Sequence, residues 1–306
     1  PLILPGNVAS ATASTTYDVA NSCRFNKADS HYMTRTFGTP TDNDKWTLSM
    51  WVKRGKVDAN SYWLFGVDIT EGYIALGSLT NLYWYMVDQE SPVVDGRLYT
   101  TRLFRDPAAW YHFVFVWDTA NATAGNRMRI YVNGVEETSF TTDINPVTTV
   151  STINTAEDHR LGAYHSGDFN EFDGYMADVV FIDGQALTPS SFGEFDSDSP
   201  TIWKPKDVSG LTFGNNGFWL DFEDSSALGN DVSGNDNDWT LVNIAAVNQC
   251  TDTPTNNFCT LNPLANYYSG ATFSEGNCYV VGLSASRASN IGTMGLTAGK
   301  WYWEVK

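Results

Sequence analysis

Two short acidic runs could supply the paired carboxylates that cleave a glycosidic bond. They are Glu171-Phe-Asp173 and Glu194-Phe-Asp196-Ser-Asp198. Alternate residues of a strand share a face, and two carboxylates about 5 Å apart can act as nucleophile and general acid. Beyond the first run the chain offers Tyr175 and Met176 instead of a further acid, and the second lies among Ser, Gly and Pro residues. We therefore predict no enzyme, with an atypical glycoside hydrolase as the least favoured alternative.

The histidines offer no clear nucleophilic site. A serine or cysteine nucleophile needs a base that is itself oriented by a third group. The chain has four histidines, His31, His112, His159 and His165, and no G-x-S-x-G elbow, P-loop or G-x-G-x-x-G run. His112 falls on a largely apolar face of a predicted strand at residues 111–118, which is typical of a structural residue.

Aromatic side chains offer a different chemistry, the stacking of sugar rings. Such a site needs aromatic faces exposed on a concave surface or rim, flanked by polar groups. Alternation along a strand sends Tyr83 and Tyr85 to the face opposite Trp84, so only one of these sets can point outward. Core packing, or packing against a neighbouring subunit, remains open for each candidate. The candidates are Trp63, Tyr83, Trp84, Tyr85, Tyr164 and His165.

The charge of the chain limits its partners. Its 306 residues carry a net charge of −17. Nucleic acid is excluded as an expected partner, because phosphate binding needs clustered Lys and Arg. No apolar run approaches the length of a membrane span, and the apolar start at residues 1–6 lacks the basic region of a secretory signal.

The cysteines do not predict a zinc site. Cys23, Cys250, Cys259 and Cys278 contain no C-x-x-C pair. The spacing is compatible with a Cys250–Cys259 or a Cys259–Cys278 disulfide. Free thiols are slightly favoured over disulfides, since a chain of this size can form a stable core without disulfide bonds.

Period-two alternation dominates the chain and predicts an all-β fold. Residues 46–53 place Trp46, Leu48 and their alternate neighbours on one face, and residues 111–118 are apolar on both faces, as in a central covered strand. Asn133-Gly134 predicts a tight hairpin. Many short strands at a spacing of roughly ten residues indicate an antiparallel jelly-roll sandwich.

Several segments, taken in order, resemble the laminin-G-like, concanavalin A-like jelly roll. They are Trp46-Thr-Leu-Ser-Met-Trp-Val52, Trp110-Tyr-His-Phe-Val-Phe-Val116, Arg129-Ile-Tyr-Val-Asn-Gly134 and Phe172-Asp-Gly-Tyr-Met-Ala-Asp-Val-Val180, followed by an exit turn at Ala186-Leu-Thr-Pro-Ser-Ser-Phe192. The resemblance covers about residues 18–195. Farther on, Ala298-Gly-Lys-Trp-Tyr-Trp-Glu-Val305 looks like the opening strand of a SPRY-like sandwich.

This order of modules resembles structural proteins of marine tailed phages. The resemblance implies a non-enzymatic virion protein (fibre, spike or capsid decoration) whose jelly roll recognises a host-surface glycan or contacts other virion proteins, on the virion surface and as a homo-oligomer. The alternative is an extracellular lectin-like protein that binds carbohydrate or matrix. We expect an N-terminal anchoring segment at 1–17, a jelly roll at 18–195, a β-rich connecting module at 196–270 and the start of the SPRY-like sandwich, apparently truncated, at 271–306.

The same resemblance implies a calcium ion at the rim of the sandwich. Calcium prefers carboxylate and carbonyl oxygens from loops. The candidate ligands are Asp68, then Asp168 with Glu171, and less directly Asp231 with Asp236 and Asp238, which lack the spacing of an EF-hand loop. We expect no required cofactor, although calcium could be bound.

Overall fold

The computed structural model describes residues 17–67, 72–78, 80–87, 94–147, 151–164, 171–267, 270–282, 289–302 and 304. These residues form strands and four short 3-10 helices, at Lys27–Asp29, Ala124–Asn126, Pro189–Ser191 and Ala246–Asn248. No helix in this part of the chain is long and apolar enough to cross a membrane.

The strands are short and follow one another closely along the chain. The first eleven are β1 (Ser22–Phe25), β2 (Tyr32–Thr36), β3 (Lys45–Arg54), β4 (Tyr62–Val67), β5 (Gly72–Leu76), β6 (Asn81–Val87), β7 (Val94–Leu103), β8 (Trp110–Asp118), β9 (Met128–Val132), β10 (Val135–Glu136) and β11 (Phe140–Ile144). The others are β12 (Asp158–Leu161), β13 (Gly174–Asp183), β14 (Gly193–Phe195), β15 (Trp203–Pro205), β16 (Phe218–Leu220), β17 (Thr240–Val242), β18 (Gln249–Cys250), β19 (Leu261–Tyr267), β20 (Thr272–Ser274), β21 (Tyr279–Val281) and β22 (Ser289–Gly292).

Two antiparallel eight-stranded sheets face each other. Sheet A has the order β10-β9-β8-β3-β13-β1-β18, with β16 also paired to β13, and sheet B has the order β11-β7-β6-β5-β4-β12-β2-β17. Three two-stranded pairs, β14-β15, β19-β22 and β20-β21, complete the pairing among the described strands. The predicted all-β jelly-roll sandwich is confirmed.

The core lies between the two sheets and is rich in aromatic rings. Trp46 of β3, Trp84 of β6 and Trp117 of β8 are fully buried there, and their ring centroids lie 5.4–6.3 Å apart. A second apolar cluster, which includes Val116 and Phe192, covers the outer face of sheet A. This second layer explains why the strand predicted at residues 111–118 is buried on both faces.

Residues beyond 195 extend both sheets. Strand β16 pairs with β13, β18 pairs with β1, and β17 pairs with β2 of sheet B. Phe218, Leu220 and Trp239 also belong to the main core cluster. The β-rich connecting module predicted for 196–270 therefore packs directly on the sandwich, while the boundary at residue 195 remains a prediction.

A buried ion pair fixes the segment that follows β18. The Nζ of Lys53 lies 2.7 Å from Asp252 Oδ2, and it also donates to Asn257 Oδ1 and to the carbonyl of Phe258, each at 2.8 Å. Trp110 Nε1 donates to the other oxygen of Asp252 at 2.9 Å. A buried charge pair is tolerated when its remaining donors and acceptors are satisfied, as they are here.

Local predictions have mixed outcomes. Asn133 and Gly134 both adopt positive φ, at 49° and 79°, which confirms the tight hairpin between β9 and β10. All four cysteines are free thiols. The SPRY-like opening strand expected at residues 298–305 is not formed over residues 298–302 and 304, and its remaining residues lie outside the described part.

Candidate functional site

Aromatic side chains cover the outer face of sheet B, the face that points away from the core. The members are half-buried, so part of each ring is open to solvent. We call this surface the aromatic face and define it by Trp63, Tyr73, Tyr83, Tyr85, Tyr99 and Tyr164.

Strand pairing arranges the outward positions in two rows that cross the sheet. Paired residues in adjacent strands share a face, so each row follows from the register. The first row is Arg97, Tyr85, Tyr73, Gly66 and Arg160, and the second is Tyr99, Tyr83, Ala75, Trp63 and Glu171.

The inward neighbours of these residues hold the rows in place. Ile74, Trp84 and Leu98 alternate with the outward residues of β5, β6 and β7, and each is at most 2% exposed. Burial of these large apolar groups fixes the register, because a slip by one residue would expose them. The aromatic face is therefore carried by rigid strands.

The rings contact one another across the strands. Ring centroids lie 4.2 Å apart for Tyr83 and Tyr99, 5.0 Å for Tyr73 and Tyr85, and 4.6 Å for Trp63 and Tyr73. Tyr164 lies 5.2 Å from both Trp63 and Tyr73. These distances are typical of favourable aromatic pairs, so the rings support each other's orientation.

Two local features create room for these rings. A β-bulge between Trp63 and Phe65 turns Leu64 and Phe65 inward together, which leaves Trp63 and Gly66 both outward. Tyr164 lies over Gly66, where an added Cβ would come within 2.9 Å of its Cδ2 atom. A side chain at position 66 would therefore displace Tyr164.

The positive charge in the middle of β7 belongs to Arg97. Its guanidinium carbon lies 4.5 Å from the ring centroid of Tyr85 and 5.6 Å from that of Tyr99, within cation–π range. Burial, followed by neighbouring phenols, raises the pKa of Tyr73 above its ordinary value, and burial also raises the pKa of Tyr99. Both phenols therefore stay neutral at physiological pH.

The sequence predicted part of this site. The structure brings Trp63, Tyr83, Tyr85 and Tyr164 together on one face. Trp84 is a correction: it is 0% exposed and packs in the core against Trp46, because alternation turns it away from Tyr83 and Tyr85. His165, Asp68 and Asp168 lie outside the described residues.

Sequence reasoning missed two residues of the aromatic face, Tyr73 and Tyr99, and the neighbouring Arg97. Each alternates with a buried apolar residue in a strand, which is the signal that could have identified them. Their grouping depends on the pairing of β5, β6 and β7, which alternation within one strand does not reveal.

Comparison with known proteins identifies the family. Residues 26–191, more than half of the chain, match the laminin G-type family model of the concanavalin A-like lectin/glucanases superfamily. The chain belongs to this superfamily. The resemblance inferred from the ordered strand motifs is thereby confirmed. No curated protein matches the sequence.

Several solved structures are similar to the chain at low sequence identity, one of them with a TM-score above 0.5. A Bacteroides ovatus ATCC 8483 protein with a provisional designation as carbohydrate binding is 14% identical, with a TM-score of 0.53, covering 78% of this chain and 61% of its own. A heptameric SAP-like pentraxin from Limulus polyphemus is 15% identical, with a TM-score of 0.39 and coverages of 56% and 80%. Mouse laminin α1 chain domains LG4-5 are 13% identical, with a TM-score of 0.38 and coverages of 62% and 48%.

Because the superfamily includes glucanases, the two acidic runs are the places where catalytic carboxylates would be expected. Glu171 forms a parallel bridge with Trp63 of sheet B, whereas Asp173 directly precedes β13 of sheet A and lies 3.6 Å from Lys56 Nζ. In the second run, Lys204 Nζ lies 3.4 Å from Glu194 and 3.5 Å from Asp196. Each run is therefore held by structural contacts, and the second lies on the β14-β15 hairpin, away from the aromatic face.

Ser49 and His112 form a hydrogen-bonded pair that does not have the polarity of a catalytic dyad. Trp203 Nε1 donates to His112 Nδ1 at 2.9 Å, so the neutral ring carries its proton on Nε2 and donates to Ser49 Oγ at 2.8 Å. Burial lowers the pKa of His112 to about 3. His112 therefore positions Trp203 and Ser49 as a neutral residue, which is the structural role the sequence predicted.

Only some of the candidate calcium ligands lie among the residues that the structure describes. Of the first group, Glu171 is described, and it is 8% exposed. In the second group both Asp231 oxygens already accept hydrogen bonds, Oδ1 from the backbone of Trp219 and Ser233 and Oδ2 from Ser233 Oγ and the Asn237 backbone. No cluster of three potential metal ligands occurs in the described ranges. Asp231 is thus a turn-forming residue, and a calcium site at Asp68, Asp168 and Glu171 remains a prediction.

Proposed function

We propose that this protein is a non-enzymatic glycan-binding protein whose aromatic face stacks on the rings of an oligosaccharide. The observation that carries the proposal is the pair of rows on sheet B, which presents five half-buried aromatic rings side by side, with the half-buried ring of Tyr164 next to them. The carbohydrate-binding designation of the Bacteroides ovatus protein, which has the same fold, agrees with it.

Partial burial makes these rings suited to binding. Each ring is already held by its neighbours, as in the Trp63–Tyr73 and Tyr83–Tyr99 pairs, so little side-chain entropy is lost when a sugar stacks on it. The solvent-open part of each ring offers an apolar surface to the C–H groups of a sugar, and phenol hydroxyls offer hydrogen bonds at its edge.

The same proposal holds that the protein is not an enzyme. Within the two rows, Glu171 is the single carboxylate among the described side chains. A glycosidase needs a second carboxyl group as acid or nucleophile. We therefore place the protein among binding modules. It needs no cofactor for this role, and calcium at Asp68, Asp168 and Glu171 would act structurally.

We place the protein on the surface of a tailed-phage virion, with an extracellular lectin-like protein as the alternative. Support comes from the module order described above and from large apolar side chains that are exposed in the C-terminal part, a feature typical of protein contact surfaces. We propose copies of the same chain and other virion proteins as partners there. The exposed side chains are Phe258, Leu264, Tyr279, Val281, Ile291, Leu296, Trp301 and Tyr302.

A glycan array followed by calorimetric titration tests the glycan proposal. We expect Trp63→Ala and Tyr85→Ala each to weaken binding by about 1–3 kcal/mol, because each removes a stacking surface. Phe195→Ala, which truncates an exposed aromatic side chain of β14 away from the aromatic face, serves as the matched control and should bind like the unmodified protein. Thermal melts of all three variants separate a binding loss from unfolding.

Two results would contradict the proposal. Folded protein that binds no glycan, or that binds one with an affinity indifferent to both Trp63→Ala and Tyr85→Ala, would remove the aromatic face as the site. Release of reducing ends from a bound glycan would show that the protein is an enzyme.

A further inference from the structure

Arg97 is a basic residue beside the aromatic rings of sheet B in an otherwise acidic chain. Acidic residues outnumber basic ones by 35 to 18. Lys53 and Lys56 lie close to carboxylates, those of Asp252 and Asp173. Among the described residues no carboxylate forms an ion pair with Arg97, and its buried Nε has no hydrogen-bond partner.

The environment of Arg97 holds its guanidinium group ready for a ligand. Stacking on Tyr85 and Tyr99 restricts the guanidinium plane, and a stacked guanidinium still has N–H donors at its edge. These donors match a carboxylate or sulfate, which can accept two parallel hydrogen bonds. Because Tyr73 and Tyr99 stay neutral, the neighbouring phenols do not cancel its charge.

The other charged groups in the rows give the face a polarity. Arg160 stands at the opposite end of the first row, stacked on Tyr32 with its guanidinium carbon 5.0 Å from the ring centroid, and Glu171 ends the second row beside Trp63. Arg97 favours an anion at the β7 end, whereas the Trp63 end of the second row, next to the Glu171 carboxylate, favours a neutral sugar.

We propose that the aromatic face selects an anionic oligosaccharide, whose carboxylate or sulfate group binds Arg97 while neutral rings stack toward Trp63. The inference rests on the glycan-binding function proposed above and adds the class of ligand. Strands β7 and β4, which carry Arg97 and Trp63, are three strand spacings apart, about 14 Å, so a ligand that contacts both residues contains more than one sugar unit.

Calorimetric titration with matched glycans tests this inference. The probes are an oligouronate, a sulfated oligosaccharide and neutral oligosaccharides of similar length. Arg97→Gln should weaken binding of the acidic probe about tenfold or more and leave neutral probes unaffected. Lys206→Gln removes the same charge at an exposed position and should change neither. Arg97→Lys should retain part of the preference, since it keeps the charge but loses the planar fork.

The acidic probes also identify the anionic group. Stronger binding of the oligouronate assigns a carboxylate, stronger binding of the sulfated probe assigns a sulfate, and either supports the inference. If Arg97→Gln fails to fold, Arg97→Lys replaces it, because it keeps the charge and should lose only the part of the acidic preference that depends on the planar fork.

Two outcomes would overturn the inference and are distinguishable. Neutral glycans that bind as tightly as acidic ones, with no effect of Arg97→Gln or of Arg97→Lys, would refute the anionic class and leave the glycan-binding function standing. Folded protein that binds no probe of either class would overturn both proposals.

Discussion

At the scale of single residues, Asp178 shows how burial changes the chemistry of one side chain. It lies at the bulge of β13 with φ of 42°, and its Oδ1 accepts hydrogen bonds from Trp219 Nε1 at 3.0 Å and from Tyr17 Oη at 3.1 Å. Burial raises the pKa of Asp178 to about 7, an effect that these two hydrogen bonds oppose and nearby Asp221 and Glu223 reinforce.

This raised pKa predicts a pH-dependent stability. The folded carboxyl keeps a proton that the unfolded one releases above its ordinary pKa of 3.8, so the free energy of unfolding falls as pH rises toward 7, by roughly 1.4 kcal/mol per pH unit at most. Asp178→Asn removes the charge and tolerates positive φ. We expect this variant to exceed the unmodified protein in stability at about pH 8 and to lose the advantage at about pH 4.

Denaturant unfolding at several pH values measures this effect. Asp143→Asn, at an exposed position of β11, is the control and should follow the unmodified protein. A constant difference between Asp178→Asn and the unmodified protein across the pH range would show that Asp178 is ionised in the folded state throughout.

At the scale of strands, the sequence predicted the elements better than their relative positions. Alternation correctly predicted that Tyr83 and Tyr85 face away from Trp84, and the strand predicted at residues 111–118 forms as β8. Alternation fails inside β4, where the bulge at Leu64 places Trp63 and Phe65 on opposite faces. A bulge depends on the pairing with β5, which is a long-range contact, so a single sequence gives no local signal for it.

The strands beyond residue 195 carry a prediction about the jelly roll. Because β16, β17 and β18 pair with β13, β2 and β1, a fragment of residues 18–195 would expose three strand edges and the core contacts of Phe218 and Trp239. We expect this fragment to aggregate or to melt at least 10 °C lower than a fragment of residues 17–257, roughly the shift that a loss of several kcal/mol causes in a domain of this size.

The longer fragment is the matched control, because it retains these strands and the Lys53–Asp252 ion pair. Scanning calorimetry with light scattering compares the two fragments. Equal melting temperatures and monomeric behaviour would show that residues 18–195 fold independently. Strands β16, β17 and β18 would then not be needed for the stability of the sandwich.

At the scale of the whole molecule, net charge and exposed apolar surface act in opposite directions. A net charge of −17 makes identical copies repel one another, whereas the apolar side chains between Phe258 and Tyr302 favour association. Salt screens the repulsion over about 10 Å at an ionic strength of 0.1 M and leaves the apolar contribution in place.

We therefore predict that the full chain forms homo-oligomers whose proportion rises with salt. Light scattering with negative-stain imaging at low and high salt measures the mass and shape of the particles. The double variant Tyr279→Ser with Val281→Thr on β21 should shift the protein toward monomers, because both side chains are exposed and apolar contacts between copies would be lost. Val19→Thr, a buried position, would lower stability instead and so separates unfolding from lost association. Elongated oligomers with fixed stoichiometry would favour the virion-surface role. A monomer at every salt concentration that binds a defined glycan would refute self-association and favour the extracellular lectin-like alternative.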